Sequence, residues 1–331
     1  MTAWSISRVD LSATQVAGIW ELAGTASATD GVPPLSEPVL LHLRYDSSVP
    51  HPAAATAEPN PRLGRDFVAT VDGEIAAYAH LDAPEPEVSG ELVVHPDRRR
   101  QGLGQALVGE LAAAADGHLL QLWAHGDLPA AARLAATAGF ERFRTLWQMR
   151  RSLRDPVARP EPPAGRRLRT FVPGRDEDEW LGLNGRAFAK HPEQGAWTRH
   201  DLELREREPW FDPAGFFVAM RDGQMAGFHW TKVHPPQAAD HGAGASHGLA
   251  AGAKPSVGEV YVVGVDPAEQ GSGLGRALTL AGLNHLRDLG LETAMLYVDE
   301  DNTTAIRMYE ALGFARARTD VMYRQGRSPA R

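Results

Sequence analysis

Short apolar runs alternate along this chain with stretches whose apolar residues recur every three to four positions, a pattern of strands interleaved with helices. Ser12-Ala13-Thr14-Gln15 has the form of a capping box and starts a helix through Val16, Ile19, Trp20 and Ala23, and a second short helix follows Ser36. Strands are expected over 67–71, 75–81 and 88–94, then a helix over 102–115, a strand over 119–124, a helix over 129–138 and a strand over 140–150. The second half repeats the order. It begins with a strand near 168–171 and helices near 177–189 and 199–207, followed by strands over 216–220, 225–233 and 257–265. A helix over 274–289, a strand over 291–298, a helix over 302–312 and a strand ending at Tyr323 complete it.

Pro156, Pro160, Pro162 and Pro163 mark residues 154–165 as an extended linker between an N-terminal domain, 1–153, and a C-terminal domain, 166–326. Residues 234–256 are mostly Ala, Gly, His and Pro with no hydrophobic period, and read as a flexible loop that could act as a lid. His234, His241 and His247 in it have spacings that define no metal geometry, so no metal is expected.

The halves share more than their order of elements. Val94-His95-Pro96 precedes Arg99-Arg100-Gln101-Gly102-Leu103-Gly104, and Val265-Asp266-Pro267 precedes Gln270-Gly271-Ser272-Gly273-Leu274-Gly275, an offset of 171 residues (265 minus 94). Each copy ends a strand and opens a helix. Glycines let the backbone take positive φ and approach a ligand, and open N–H groups at a helix start suit a pyrophosphate. Arg99, Arg100 and Arg276 add cationic side chains nearby. One copy alone is also an ordinary strand-to-helix turn; two in matching context point to a duplicated phosphate loop. Neither copy ends in the Gly-Lys-Ser/Thr of a Walker loop, and Leu107 and Leu278 stand where a dinucleotide fingerprint needs Gly or Ala.

Composition narrows the choice of ligand. The 331 residues suit two domains, and a net charge of −8 gives no field that favours nucleic acid or anionic lipid. The absence of cysteine removes disulfides, thiol catalysis and thiolate metal sites together. No signal peptide or membrane-spanning run is visible, so a cytoplasmic monomer without membrane or nucleic-acid partners is expected.

The Val-x-Pro and Arg/Gln-x-x-Gly-x-Gly strings, with Asn302-Thr303-Thr304-Ala305-Ile306-Arg307-Met308-Tyr309 running into Leu312-Gly313-Phe314, resemble the cofactor motifs of the GCN5-related N-acetyltransferases (GNAT). Ala138-Gly139-Phe140 holds the matching place in the first half, offset by 174 (313 minus 139). The resemblance implies two tandem α/β (α+β) domains, each a mixed, largely antiparallel sheet flanked by helices, with acetyl-CoA as cosubstrate. It assigns acetyl-CoA to Leu92, Val93, Val94 and Arg100-Gln101-Gly102-Leu103-Gly104-Gln105 in the first half. In the second half it assigns Val263, Gly264 and Val265, Gln270-Gly271-Ser272-Gly273-Leu274-Gly275-Arg276 and Asn302-Thr303-Thr304-Ala305-Ile306-Arg307. It also implies a splay in the sheet that admits the pantetheine arm, with the N–H near Val265 facing the thioester oxygen.

Acetyl transfer to an amine needs a base for the amine and a donor for the departing sulfur. Glu259, on the strand entering the second loop, is the candidate base, directly or through water, and Tyr309 stands where the family places its acid. Each has a plainer reading, a solvated strand-end carboxylate and a packing aromatic. A gapless register sets Val88 opposite Glu259, Ala135 opposite Tyr309 and Trp123 opposite Tyr297, with Glu87 or Glu91 as the first-half carboxylate if the strands slip. The first domain is therefore expected to bind acetyl-CoA without turning it over.

Longer strings are similar to one family of tandem enzymes, the mycothiol synthases. They include His191-Pro192-Glu193-Gln194-Gly195, Phe228-His229-Trp230-Thr231-Lys232-Val233-His234-Pro235, Gly258-Glu259-Val260-Tyr261-Val262, Leu296-Tyr297-Val298 and Trp123-Ala124-His125-Gly126. This resemblance implies acetylation of the cysteine amine of the pseudodisaccharide Cys-GlcN-Ins, with Glu37, Glu193, Lys232, Glu259 and Tyr297 as substrate positions. Glu37, as a first-turn glutamate after Ser36, and Lys232, as a strand-edge solubiliser, also have structural readings. Another amine, such as an aminoglycoside or a protein N-terminus, and a non-catalytic acetyl-CoA sensor are the alternatives.

Overall fold

The computed structural model describes residues 4–46, 64–82, 87–234 and 256–326. The chain forms two compact units that do not coincide with its sequence halves: residues 1–146 with 318–331, and residues 147–317. The cause is that strand β6 (Phe140–Ser152) and strand β12 (Ala315–Gln325) each begin in one unit and end in the other.

The first unit has the sheet order β1 (Trp4–Val9), β2 (Arg65–Val71), β3 (Glu74–Leu81), β4 (Glu87–Val94), β5 (Leu119–Ala124), then the later part of β12. β4 and β5 are parallel, and the pairs flanking them are antiparallel. Period-two alternation sends Phe67, Ala69 and Val71 to one face, where they pack with Leu103, Leu107 and Leu111 of α3 (Leu103–Ala114). Val68 and Tyr78 go to the other face, against Ile19 and Leu22 of α1 (Ala13–Asp30) and Val39 of α2 (Glu37–Leu41). The capping box at Ser12 and Gln15 starts α1, and Gly31 in the left-handed region (φ 71) ends it. Helix α2 runs directly into a π-helical turn, His42–Asp46.

The second unit repeats this plan. Its sheet order is β7 (Arg166–Thr170), β8 (Phe216–Arg221), β9 (Gln224–His234), β10 (Val257–Val265), β11 (Thr293–Asp299), then the later part of β6. One face packs Phe216, Phe228 and Trp230 against Trp180 of α5 (Glu177–Ala187) and Leu202 of α7 (Arg199–Glu206). On the other side, Leu278 and Leu283 of α8 (Leu274–Asp288) and Tyr309 of α9 (Thr303–Ala311) enter the buried core. Buried His229 donates from Nδ1 to Leu278 O (2.7 Å), and burial lowers its pKa to about 4, so the ring is a neutral packing group.

Two expectations need correction. His234 pairs with Val257 at the end of the β9–β10 ladder rather than starting a loop; residues 235–255, including the candidate lid, lie outside the described residues. The proline-rich stretch 154–165 forms neither helix nor strand, yet it is not wholly solvated. Val157 is buried in the second unit's core, and Ala158 O accepts a hydrogen bond from Asn284.

Candidate active site

Both glycine loops close in the same way. Gly102 (φ 91) and Gly273 (φ 89) take the left-handed conformation and cap α3 and α8, and neither cap supplies a side-chain hydrogen bond. The first-turn N–H groups thus form an anion-ready end at each loop, apart from Leu274 N–H, which donates to Ser272 Oγ at 3.3 Å. One assumed contact is corrected: Arg99 is committed to a bidentate pair with Asp30 (2.7 Å for each nitrogen) and to Val94 O, leaving exposed Arg100 as the cation of the first loop. In the second loop, buried Glu269 accepts from Arg166 (2.9 and 2.7 Å) and from Arg221, which ties the loop to β7 and β8.

The parallel β10–β11 ladder runs from Gly258/Ala294 to Val260/Leu296 and stops, although β10 continues to Val265 and β11 to Asp299. This divergence leaves the β10 edge facing a wedge beside the loop, where an extended arm can pair with it as an added strand. The first unit parts likewise after Gly90/Leu122.

Glu259 lies at the base of the wedge and is only 6 % exposed. Its Oε2 is 2.6 Å from Nε2 of His234, and its cross-strand partner is Lys232. Lys232 Nζ sits over the rings of Trp210 (4.5 Å) and Tyr261 (5.1 Å), a cation–π arrangement rather than a free edge lysine. Tyr261 is the extra residue of a β-bulge between Val260 and Val262. Tyr297, on β11, is 41 % exposed, and its hydroxyl accepts from Gln148 Nε2 at 2.8 Å.

Tyr309 is buried beside Phe314, and burial pushes its phenol up to about 12. Such a group stays protonated across the working pH range. It can donate a hydrogen bond but surrenders a proton reluctantly. Asn302 caps α9, its Oδ1 accepting from Ala305 N at 3.1 Å.

The segment bearing Glu193 is held by reciprocal bonds between Asn184 and Gln194, and His191 Nδ1 faces Asp299 Oδ2 at 3.6 Å. Glu193 falls in the short helix α6 (Pro192–Gly195), and its side chain lies outside the described residues. Glu37 is half-buried in the first turn of α2, and the preceding Ser36 N–H donates to buried Glu91 on β4 (2.7 Å). The structure thus gathers Glu259, Lys232 and His234 at one place in the second unit, while Glu37 belongs to the first. His234 is the residue that sequence reasoning missed. Its signal was its spacing two positions after Lys232, which puts both on one face of a strand.

The bulge also corrects the internal register. Through His80/Glu91 and Trp230/Val262 the two ladders match at the offset of 171 (262 minus 91), but the extra Tyr261 shifts the residues preceding it by one. Gly90 pairs with Leu122 as Val260 pairs with Leu296, so the counterpart of Glu259 is Ser89, not Val88, Glu87 or Glu91. Ala135, in α4 (Pro129–Thr137), remains the counterpart of Tyr309.

Comparison with known proteins gives this geometry a lineage. The profile of the acetyltransferase (GNAT) family matches residues 184–314, and that of an acetyltransferase (GNAT) domain matches residues 64–142. A mycothiol acetyltransferase of Thermobispora bispora is 56 % identical over 92 % of this chain and 94 % of its own length. That of Thermomonospora curvata is 52 % identical over 95 % and 94 %. The chain belongs to the mycothiol acetyltransferase family. With two GNAT matches and these relatives, it is a tandem-domain N-acetyltransferase, and the fold agrees. A tandem GNAT protein from the clavulanic acid biosynthesis pathway superposes with a TM-score of 0.70 at 21 % identity, covering 99 % of this chain and 100 % of its own. A GCN5-related N-acetyltransferase from Sphaerobacter thermophilus gives 0.65 at 24 % identity, covering 98 % and 96 %.

Proposed function

We propose that the second unit transfers the acetyl group of acetyl-CoA to the cysteine amine of Cys-GlcN-Ins, giving mycothiol and CoA, and that the first unit binds acetyl-CoA without turnover. The observation that carries this reading is the asymmetry of the twins: Glu259 and Tyr309 in one, Ser89 and Ala135 in the other. The Gly271–Arg276 loop and the open end of α8 suit the pyrophosphate, and the wedge edge of β10 suits the pantetheine arm.

An α-amino group has an unperturbed pKa of about 7.7–8.0, so a carboxylate, directly or through one water, suffices to take its proton. Glu259 takes that role, and His234 fixes which carboxylate oxygen faces the amine. As the C–N bond forms and the C–S bond breaks, backbone N–H groups near Val265 receive the oxyanion. Tyr309 stabilises the leaving sulfur by hydrogen bonding. With its phenol near 12 against about 8.5 for a thiol, full proton transfer would be uphill. Lys232, Tyr297, Glu193 and Glu37 are the residues assigned to the substrate's polar groups.

The test is acetyl transfer from acetyl-CoA to Cys-GlcN-Ins beside an aminoglycoside and a peptide N-terminus. The proposal expects the pseudodisaccharide to be favoured in kcat/KM by at least about 10²-fold, the scale set by leaving site polar groups unpaired with a wrong substrate. Equal or better use of another amine would replace the substrate assignment, and no transfer to any amine would favour a sensor.

A further inference from the structure

The twin hairpins β2–β3 and β8–β9 match residue for residue at an offset of 150 (222 minus 72), including a shared irregularity after Ala69 and Ala219. Asp66 therefore corresponds to Phe216, Tyr78 to Phe228 and His80 to Trp230. In the second unit these three are core aromatics, with Phe216 and Trp230 stacked at 4.5 Å. In the first unit the same buried place holds ionisable groups. The fold does not require them, and burying charge costs stability unless something compensates it.

Their arrangement is specific. His42 Nε2 lies 2.9 Å from Asp66 Oδ2, and His80 Nδ1 lies 2.9 Å from Asp66 Oδ1. One donor atom from each of the three falls within 4.8 Å of the others, and all three residues are buried. A further layer supports them: His80 Nε2 faces Asp82 Oδ1 at 3.5 Å, and Tyr78 Oη donates to Asp66 Oδ1 at 2.7 Å. Metal-binding histidines typically give their second nitrogen to a carboxylate in this way, and metal-binding carboxylates are themselves hydrogen-bonded. His42 is presented by the π-helical turn, a distortion that is frequent at functional sites.

We propose that His42, Asp66 and His80 bind one divalent transition-metal ion, zinc by the chemistry of two imidazoles and a carboxylate, as a structural site of the first unit. Zinc–ligand distances of about 2.0–2.2 Å in a tetrahedron put neighbouring donors about 3.3 Å apart, so the two 2.9 Å contacts need to open by a few tenths of an ångström, while the donor atoms of the trio, which lie within 4.8 Å of one another, draw together around the ion. A water or the second Asp66 oxygen completes the set. The ion replaces the hydrogen shared between each imidazole and the carboxylate, and displaced protons pass to solvent. It would fasten the π-helical turn to β2 and β3, and with it α2, which carries Glu37. The site does not depend on the acetyl-transfer assignment.

The full-length, untagged protein, stripped with chelator and titrated with zinc chloride, tests this by calorimetry, by metal content and by melting temperature with and without zinc. One zinc per chain is expected, with a higher melting temperature in its presence. His42→Gln, Asp66→Asn and His80→Gln should each abolish that uptake, and Asp82→Asn should weaken it by about 10- to 100-fold. Should those variants fail to fold, the visible spectrum of the cobalt(II)-loaded wild type gives an independent reading, with a tetrahedral nitrogen/oxygen band expected. No stoichiometric uptake by the wild type, uptake that persists in His80→Gln, or a cobalt spectrum without tetrahedral character would overturn the site and leave the trio as a metal-free hydrogen-bonded cluster.

Discussion

At the residue scale, Glu259 differs from an ordinary strand carboxylate in its burial and in its short contact with His234 at 2.6 Å. In the proposed mechanism that contact orients the carboxylate and is not needed to receive the amine's proton. His234→Ala is therefore expected to lower kcat by about 10- to 100-fold, the worth of a hydrogen bond to a charged group, while leaving KM for acetyl-CoA nearly unchanged. His234→Gln, which retains a donor, should recover much of the loss, and steady-state kinetics of both variants decide it. Equal losses in the two would point to the ring's bulk rather than its hydrogen bond. Glu259 and Tyr309 stand out as candidates in the sequence because the family's motifs name their positions. His234 was not, since the chain after it lacks any hydrophobic period and only the paired strands reveal that it still belongs to the ladder.

At the element scale, the strands and helices followed from hydrophobic period and capping residues, and the exceptions have physical causes. β1 escaped notice because it is an edge strand of six residues with little burial on either face. The bulge at Tyr261 leaves no composition signal, yet it decides that Ser89 holds the place of Glu259 in the first unit. A clasp in the first unit was equally hidden, because its members are remote in sequence. His125, after β5, lies 3.4 Å from Asp320 on β12 and 3.6 Å from Glu91 on β4, while Gly126 N donates to Asp320 at 2.8 Å. Burial disfavours the charged imidazole, but the two carboxylates outweigh it and hold its pKa up to about 10. A raised folded-state value means that this contribution is complete below the unfolded value of about 6.5 and is lost as pH rises toward 10. The melting temperature should fall from pH 7 to pH 10 more steeply in the wild type than in His125→Gln; parallel curves would remove the charged clasp.

At the scale of the whole molecule, the chain is a duplicated acetyltransferase domain whose copies kept the same scaffold and diverged in buried residues and in those proposed to react. Both retain the left-handed glycine, the open helix end and the parting of the parallel strands, features of backbone that need few particular side chains. One copy keeps a glutamate and a tyrosine where the other has Ser89 and Ala135; conversely, only the first has Asp66 and His80 in place of core aromatics, with Tyr78 in the place of Phe228. The duplication was plain from the repeated loops. The exchange of strand ends between units was not, because β6 and β12 carry no mark of where one core ends and the next begins.

The central claim is that turnover belongs to the second unit and passes through Glu259. The rate of CoA release by Glu259→Gln, with acetyl-CoA and Cys-GlcN-Ins both saturating, tests it most directly. A fall of about 10² to 10⁴-fold, the range for a lost acid or base, with acetyl-CoA binding unchanged, is predicted. A rate close to that of the wild type across the pH range would contradict it and return the chemistry to another carboxylate or to the first unit.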